Sequence, residues 1–241
     1  MAATFTKQFL SGSTQGKQIK VAGTASAVAA ASATLTSNGT NVSNNDTVTI
    51  DTKVYTFKSS LTPTEGEVKI GASAAASLDN LKSAVTHGGI PDTDYKCAAA
   101  HTTVNATTNT DTTQLLVALT SNYAGNSIAF AKSAVTLTVS GSTLTGGADA
   151  ATTVHTAVSG TSDMDEIWLY AVNSQLASLK LTIEWGETTA PDGNIEQTVP
   201  GESGLYLIVP GLLLQNSLVV KAFAPTPNVV VISGFANRIV A

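Results

Sequence analysis

Glu166-Ile167-Trp168-Leu169-Tyr170-Ala171-Val172 is the stretch that decides the fold. Ile167, Leu169 and Ala171 alternate with Trp168, Tyr170 and Val172, which puts the two sets on opposite faces of a strand. Toward the C-terminus, residues 179–185, 195–199, 204–209, 217–223 and 229–232 read as further strands. Pro191-Asp192-Gly193, Pro200-Gly201, Pro210-Gly211 and Pro225-Thr226-Pro227 punctuate them. Short strands at roughly 8–12-residue spacing, separated by turn residues, indicate a sandwich or barrel. Toward the N-terminus, 6–10 and 18–21 are two more short strands around a Ser/Gly-rich turn at 11–16. Residues 22–33 are rich in Ala, Ser and Gly, a linker by composition with a helical alternative.

The middle of the chain reads differently. Residues 47–50 and 54–57 form a period-two hairpin around Asp51-Thr52-Lys53, and Val68 and Ile70 mark a third short strand. Residues 73–85 are the one helix. Ser73 is a suitable N-cap, Ala74, Leu78, Leu81 and Val85 make an apolar stripe, and Asp79, Lys82 and Ser83 lie opposite. His87-Gly88-Gly89 follows, where a glycine can take the left-handed conformation that ends a helix, and Pro91 prevents continuation. Further strands are expected at 102–107, 114–120, 127–131 and 135–139, with 123–126 as a loop. The fold expected is mainly β. A β-sandwich, with the jelly roll as one topology that fits, is built from residues 1–33 and 148–241. A small α+β module, one helix on a mainly antiparallel sheet, is inserted as residues 34–147.

Composition narrows the function. Hydrophobic residues are 43% of the 241, enough for a sizeable core, but charged residues are only 12%, about half the usual share. The net charge is −5 and the 12 Lys and Arg are scattered, which argues against nucleic acid as a partner, since phosphate neutralisation needs clustered positive charge. The longest apolar run, 205–214, is broken by Pro210-Gly211 and is about half a membrane span, so no membrane partner is expected. The start of the chain lacks a basic-then-apolar leader pattern. Four Asn-x-Ser/Thr sequons, at Asn38, Asn41, Asn45 and Asn105, follow from a Thr-rich composition. Cys97 is the only cysteine, so no intrachain disulfide or thiolate metal site is expected, and it reads as a small packed residue.

The chemistry-bearing residues form no recognisable constellation. His87, His101 and His155 have no ligand spacing and read as structural histidines. Gly201-Glu202-Ser203-Gly204 lacks the spacing of a nucleophile elbow and reads as a turn. Asp163, Asp165 and Glu166 are spaced like the opening of a calcium loop, but a strand follows and leaves a solvated acidic turn. Glu184 and Glu187 flank Trp185, a pattern shared by carbohydrate-active sites and by ordinary strand ends. No catalytic residue, metal or cofactor is expected. Trp168 and Tyr170 share one strand face, and they either pack under the sandwich or form a recognition patch.

Several stretches resemble tailed-bacteriophage virion proteins. In the middle these are 46–50, Lys53-x-Tyr55-Thr56-Phe57, Gly66-Glu67-Val68-x-Ile70-Gly71, 74–81 and Ala124-Gly125-Asn126, which look like a module recurring in phage structural proteins. In the flanks they are Leu10-Ser11-Gly12-Ser13-Thr14-x-Gly16-Lys17-x-Ile19-Lys20-Val21, Asp165-Glu166-Ile167-Trp168-Leu169-Tyr170-Ala171-x-Asn173, residues 181–192 and 209–212. The Asp51-Thr52 turn departs from the Gly-rich turn of that module. The resemblance implies a non-enzymatic capsid decoration (cement) protein on the virion surface, made in the host cytoplasm. Its implied partners are the major capsid protein and further copies of itself, a trimer suiting threefold junctions. The candidate interface residues are Trp168, Tyr170, Leu212 and Leu213. A tail tube, fibre or adhesin is the alternative. A carbohydrate-binding or carbohydrate-active virion protein using Trp185, Glu184 and Glu187 is the remoter one.

Overall fold

The alternating run around Trp168 lies in a 10-residue strand, Met164–Asn173, whose Asp165, Ile167, Leu169, Ala171 and Asn173 are buried while the residues between are half-buried. In the computed structural model, which describes residues 3–202 and 204–240, the chain divides into two units. Residues 1–27 with 149–241 form one, and 28–148 the other. The first unit opens with β1 (Thr4–Phe9) and β2 (Ile19–Lys20). The second contains β3 (Ser32–Ser37), β4 (Thr47–Ile50), β5 (Lys53–Lys58), β6 (Glu67–Lys69), helix α1 (Ala74–Thr86), β7 (Tyr95–Lys96), β8 (Val104–Asn109), β9 (Thr113–Ala118), β10 (Phe130–Lys132) and β11 (Leu137–Val139). The chain then returns to the first unit through β12 (Thr152–Thr156), β13 (Met164–Asn173), β14 (Leu179–Trp185), β15 (Asn194–Val199), β16 (Tyr206–Leu214), β17 (Val219–Phe223) and β18 (Val230–Val240). The fold is mainly β with one α-helix. No helix among the described residues is long and apolar enough to cross a membrane.

The first unit is a jelly roll. One sheet runs β1-β18-β13-β16, with β2 also on β18, and the other runs β12-β17-β14-β15. Among these strands only β14 and β15 are both consecutive in the chain and neighbours in a sheet. Apart from β2, every other connection within the unit passes from one sheet to the other, the wrap of a double-sheet jelly roll. The inward residues of both sheets make one core: Ile167, Leu169 and Ala171 from β13 meet Leu181 and Ile183 from β14 and Val220 and Ala222 from β17. β18 extends beyond the 229–232 expected for it because its far half pairs with β1 on one side and β13 on the other.

Residues 204–209 and 212–214 were expected to be separated by a Pro-Gly turn. Residues 206–214 are instead one strand. Ile167 faces Leu212 while Trp168 faces Pro210, so Gly211 is the extra residue of a β-bulge. Its φ of +82° is a conformation glycine adopts without strain, and a Cβ there would lie 2.8 Å from the Trp168 indole.

The second unit has two sheets where one was expected. β10-β4-β5-β6-β7 contains one parallel strand pair, β5 with β6, and β11-β3-β9-β8 is antiparallel. Its core takes Val48, Ile50, Tyr55 and Phe57 from the first sheet, Leu35, Val104 and Leu116 from the second, and Leu78, Leu81 and Val85 from α1. The helix contacts β6 and β7 of one sheet and β8 and β9 of the other. Ser73 is its N-cap, the Oγ accepting from Ala76 N–H at 3.2 Å. His87, not Gly88, takes the left-handed C-cap conformation, at φ 54°. Residues 123–126, read as a loop, lie in a 3₁₀-helix at Tyr123–Ser127 capped by Asn122.

The boundary drawn after residue 33 cuts β3, whose Ala33 and Leu35 belong to the second core. The Ala/Ser/Gly composition of 22–33 therefore does not mark a free linker. Ala29 and Ala148 exchange both N–H···O bonds at 3.0 Å, so the chain enters and leaves the second unit side by side. Within the first unit, Thr24 and Ala25 N–H likewise donate to Asp149 O.

Two outcomes are expected. Replacing residues 28–148 by a short Gly/Ser loop leaves a folded first unit, because the excised ends are already adjacent; cooperative urea unfolding of the deletion protein checks this. Leu81→Ala lowers the stability of the second unit by about 2–5 kcal/mol, the cost of a core cavity. Lys82→Ala costs well under ~1 kcal/mol on the opposite face, and denaturant midpoints of the two variants separate the cases.

Candidate functional site

The strand that decides the fold also carries the most unusual surface. Trp168 and Tyr170 do not pack under the sandwich; they stand on the outer face of the β1-β18-β13-β16 sheet, since their neighbours Ile167, Leu169 and Ala171 fill the inside. Cross-strand register extends the face in rows. Phe9, Phe235, Trp168 and Pro210 form one row across all four strands, and Lys7, Asn237, Glu166 and Leu213 form the next. Phe5 and Ile239 lie beyond, and Tyr170 pairs with Leu207 on the other side. Phe5 is 67% exposed, Phe9 65% and Leu213 53%. A cluster of large apolar side chains left exposed beside a stacked aromatic pair marks a candidate site of association.

The aromatic residues are held in place. Trp168 stacks on Phe235 with centroids 6.3 Å apart and planes 14° from parallel, within the offset-stacked range. The Lys7 ammonium sits 4.2 Å from the Phe235 centroid, a cation–π contact. Asn237 Nδ2 donates to Glu166 at 2.7 Å, so the one acidic residue of these rows is tied within the sheet. Of the four expected interface residues, Trp168, Tyr170 and Leu213 share this face. Leu212, 42% exposed, follows the Gly211 bulge and pairs with inward-facing Ile167. Phe5, Phe9, Phe235 and Leu207 were missed. The alternation Phe5-Thr6-Lys7-Gln8-Phe9 carried the signal for two of them, but only the pairing of β1 with β18 brings them beside Trp168.

Asp165 is not part of a solvated turn. It points inward at the end of β13, fully buried, with Arg238 Nε donating at 2.9 Å, Arg238 Nη2 at 3.1 Å and Val158 N–H at 2.9 Å. His155 Nε2 lies 3.0 Å from Asp165 Oδ2. Its Nδ1 accepts from Ser11 N–H at 3.1 Å, which makes it the neutral ring donating to the carboxylate. Burial pushes the Asp165 carboxyl up, but the bonds from Arg238, His155 and Val158 outweigh it and hold it below the usual range. His101 is buried in the second unit, its Nδ1 accepting from Thr103 and Val104 N–H and its Nε2 facing Ile50 O at 3.1 Å. Burial lowers its pKa and favours the neutral ring. His87 sits edge-on to Tyr95 at the helix end. Cys97 is buried, and burial pushes its thiol up.

Trp185 is half-buried against the jelly-roll core, while Glu184 belongs to the opposite face of β14, so the strand does not turn the ring and the Glu184 carboxylate the same way. The Ser203 turn lies outside the described residues. Among the described residues, no three His, Cys, Asp or Glu side chains cluster so as to hold a metal. No family model, curated protein or solved structure matches the chain.

The Asp165 network has a pH signature. Its folded pKa lies below the unfolded value of about 3.9, so its contribution is complete above that value and is lost as pH falls through the folded pKa. Urea unfolding of the first unit between about pH 5 and pH 2 should show stability falling in this window, with a weaker fall in Asp165→Asn. Arg238→Met should cost about 3–5 kcal/mol near neutral pH by leaving a buried carboxylate without its cation.

Proposed function

We propose that this chain is a non-enzymatic virion structural protein, a decoration subunit that binds the outside of a tailed-phage capsid and stabilises it. The observation that carries the reading is the apolar outer face of the β1-β18-β13-β16 sheet, with Phe9, Phe235, Trp168 and Leu213 on neighbouring strands. Association surfaces are apolar and aromatic at their centre, and the Phe9, Phe235, Trp168 and Pro210 row fits that description, with Lys7 and Glu166 beside it. The resemblance of residues 10–21, 165–173, 181–192 and 209–212 to phage virion sequences supplies the partner, the major capsid protein. The low charge density of the chain agrees with permanent packing, in which few charges need desolvation. A protein that binds only the assembled shell stabilises it by mass action against internal pressure. Threefold junctions between capsomers would take it as a trimer.

The test is add-back to purified particles stripped of this protein. Phe9→Glu combined with Leu213→Glu should weaken binding by about 100-fold or more, since both introduced charges would be buried in the interface. Lys180→Ala, on the exposed side of the other sheet, should bind as wild type. Unchanged binding by a folded double variant would sink the assignment of this face. Copy number per virion separates shell or tube, where it is high, from a fibre or vertex, where it is a handful.

A further inference from the structure

Glu184 is only 1% exposed, yet neither of its carboxylate oxygens has a hydrogen-bond partner. A buried carboxylate without donors is costly, so its site is incomplete as the protein chain alone builds it. Lys221 faces it directly across β17 but makes no ion pair with it. On the other side, Asn194 pairs with Glu184 across β15, and its Oδ1 is also buried without a donor. Three acceptor oxygens on neighbouring strands therefore lack donors. Glu184 lines a cleft of about 210 Å³ together with Glu187, Thr188, Ser217, Leu218 and Lys221. Gly193 packs against the backbone and side chain of Glu187, which folds the β14–β15 connection back on itself. The Glu187 carboxyl accepts from Thr189 N–H at 3.2 Å.

We propose that this cleft is a binding site for a hard divalent cation, with calcium the best fit, held by the carboxylates of Glu184 and Glu187 and by hydroxyl or carbonyl oxygens of the loop. The cation supplies the positive charge that Glu184 lacks. Every side-chain donor in the set is oxygen, which disfavours zinc and copper, for which nitrogen and sulfur are preferred. Magnesium requires rigid octahedral geometry and retains its waters, whereas calcium accepts irregular carboxylate, carbonyl and water ligands. The volume, equal to about seven waters at ~30 Å³ each, leaves room for an ion with part of its hydration shell. Two carboxylates beside a lysine make a weak site, in the 10⁻⁴–10⁻³ M range, roughly that of extracellular calcium modules.

The experiment uses the full chain, freed of metal by chelator and dialysis, then titrated with calcium chloride alone while heat and melting temperature are followed. Wild type should bind saturably with a dissociation constant of about 10⁻⁴–10⁻³ M and melt at a higher temperature when loaded. Glu184→Gln, nearly isosteric, should weaken binding at least about tenfold, the loss of one direct charge contact. Lys221→Met should tighten it by removing the competing cation. The proposal is overturned if wild type shows neither heat nor a melting shift up to about ten millimolar calcium, or if Glu184→Gln binds as wild type. It is equally overturned if Lys221→Met is strongly destabilised and calcium does not restore it, which would make Lys221 the partner of Glu184.

Discussion

Asp165 ties together parts of the jelly roll that are far apart in sequence. It lies on β13, its cation Arg238 is on β18 of the same sheet, and His155 comes from β12 of the other sheet. His155 in turn accepts from Ser11, just after β1, and Thr156 N–H donates to Ser11 Oγ at 2.7 Å. One buried carboxylate thus links both sheets and the first strand of the unit. Removing any member would leave polar groups in the interior without partners, and such penalties exceed the gain from any one bond. The arrangement also explains why β1, separated from β12 by the whole second unit, is held in its place at the sheet edge.

The outer face of the same sheet depends on this anchoring. Phe5 and Phe9 gain nothing from burial within their own strand, since β1 is an edge strand exposed along nearly all its length. They are presented as a surface because β18 holds β1 in register. The Gly211 bulge serves the same face: it gives the Trp168 indole room against the β16 backbone, where a side chain would collide. The face thus rests on strands whose register is fixed by their pairing.

The second unit meets a different constraint. Its core is shared between two short sheets and one helix, and the strands that build it are only two to six residues long. Tyr55 and Tyr95 are fully buried there with phenol oxygens that have no hydrogen-bond partner. Desolvation raises the pKa of both groups and keeps them neutral. The unit accepts this polar cost for the apolar area that the two rings bury.

The sequence by itself determined what local rules control. Period-two alternation identified β13 and the β4–β5 hairpin, and the Ser73 cap with the Leu78, Leu81, Val85 stripe located α1 within a residue or two. A discontinuous sandwich with a middle insertion was legible from composition, although its first boundary fell inside β3. That Trp168 and Tyr170 share one face of a strand was legible from their spacing. Only the tertiary structure decided which face each set occupies, because alternation defines two faces and not which one meets the core. It alone made Pro210-Gly211 a bulge instead of a turn, since β13 continues to pair on both sides of it. It alone brought Phe9 and Phe235, more than two hundred positions apart, into one row with Trp168, and buried Asp165 and Glu184. Sequence spacing carries neither register between distant strands nor burial of a single charge, because both are set by which other strands arrive alongside.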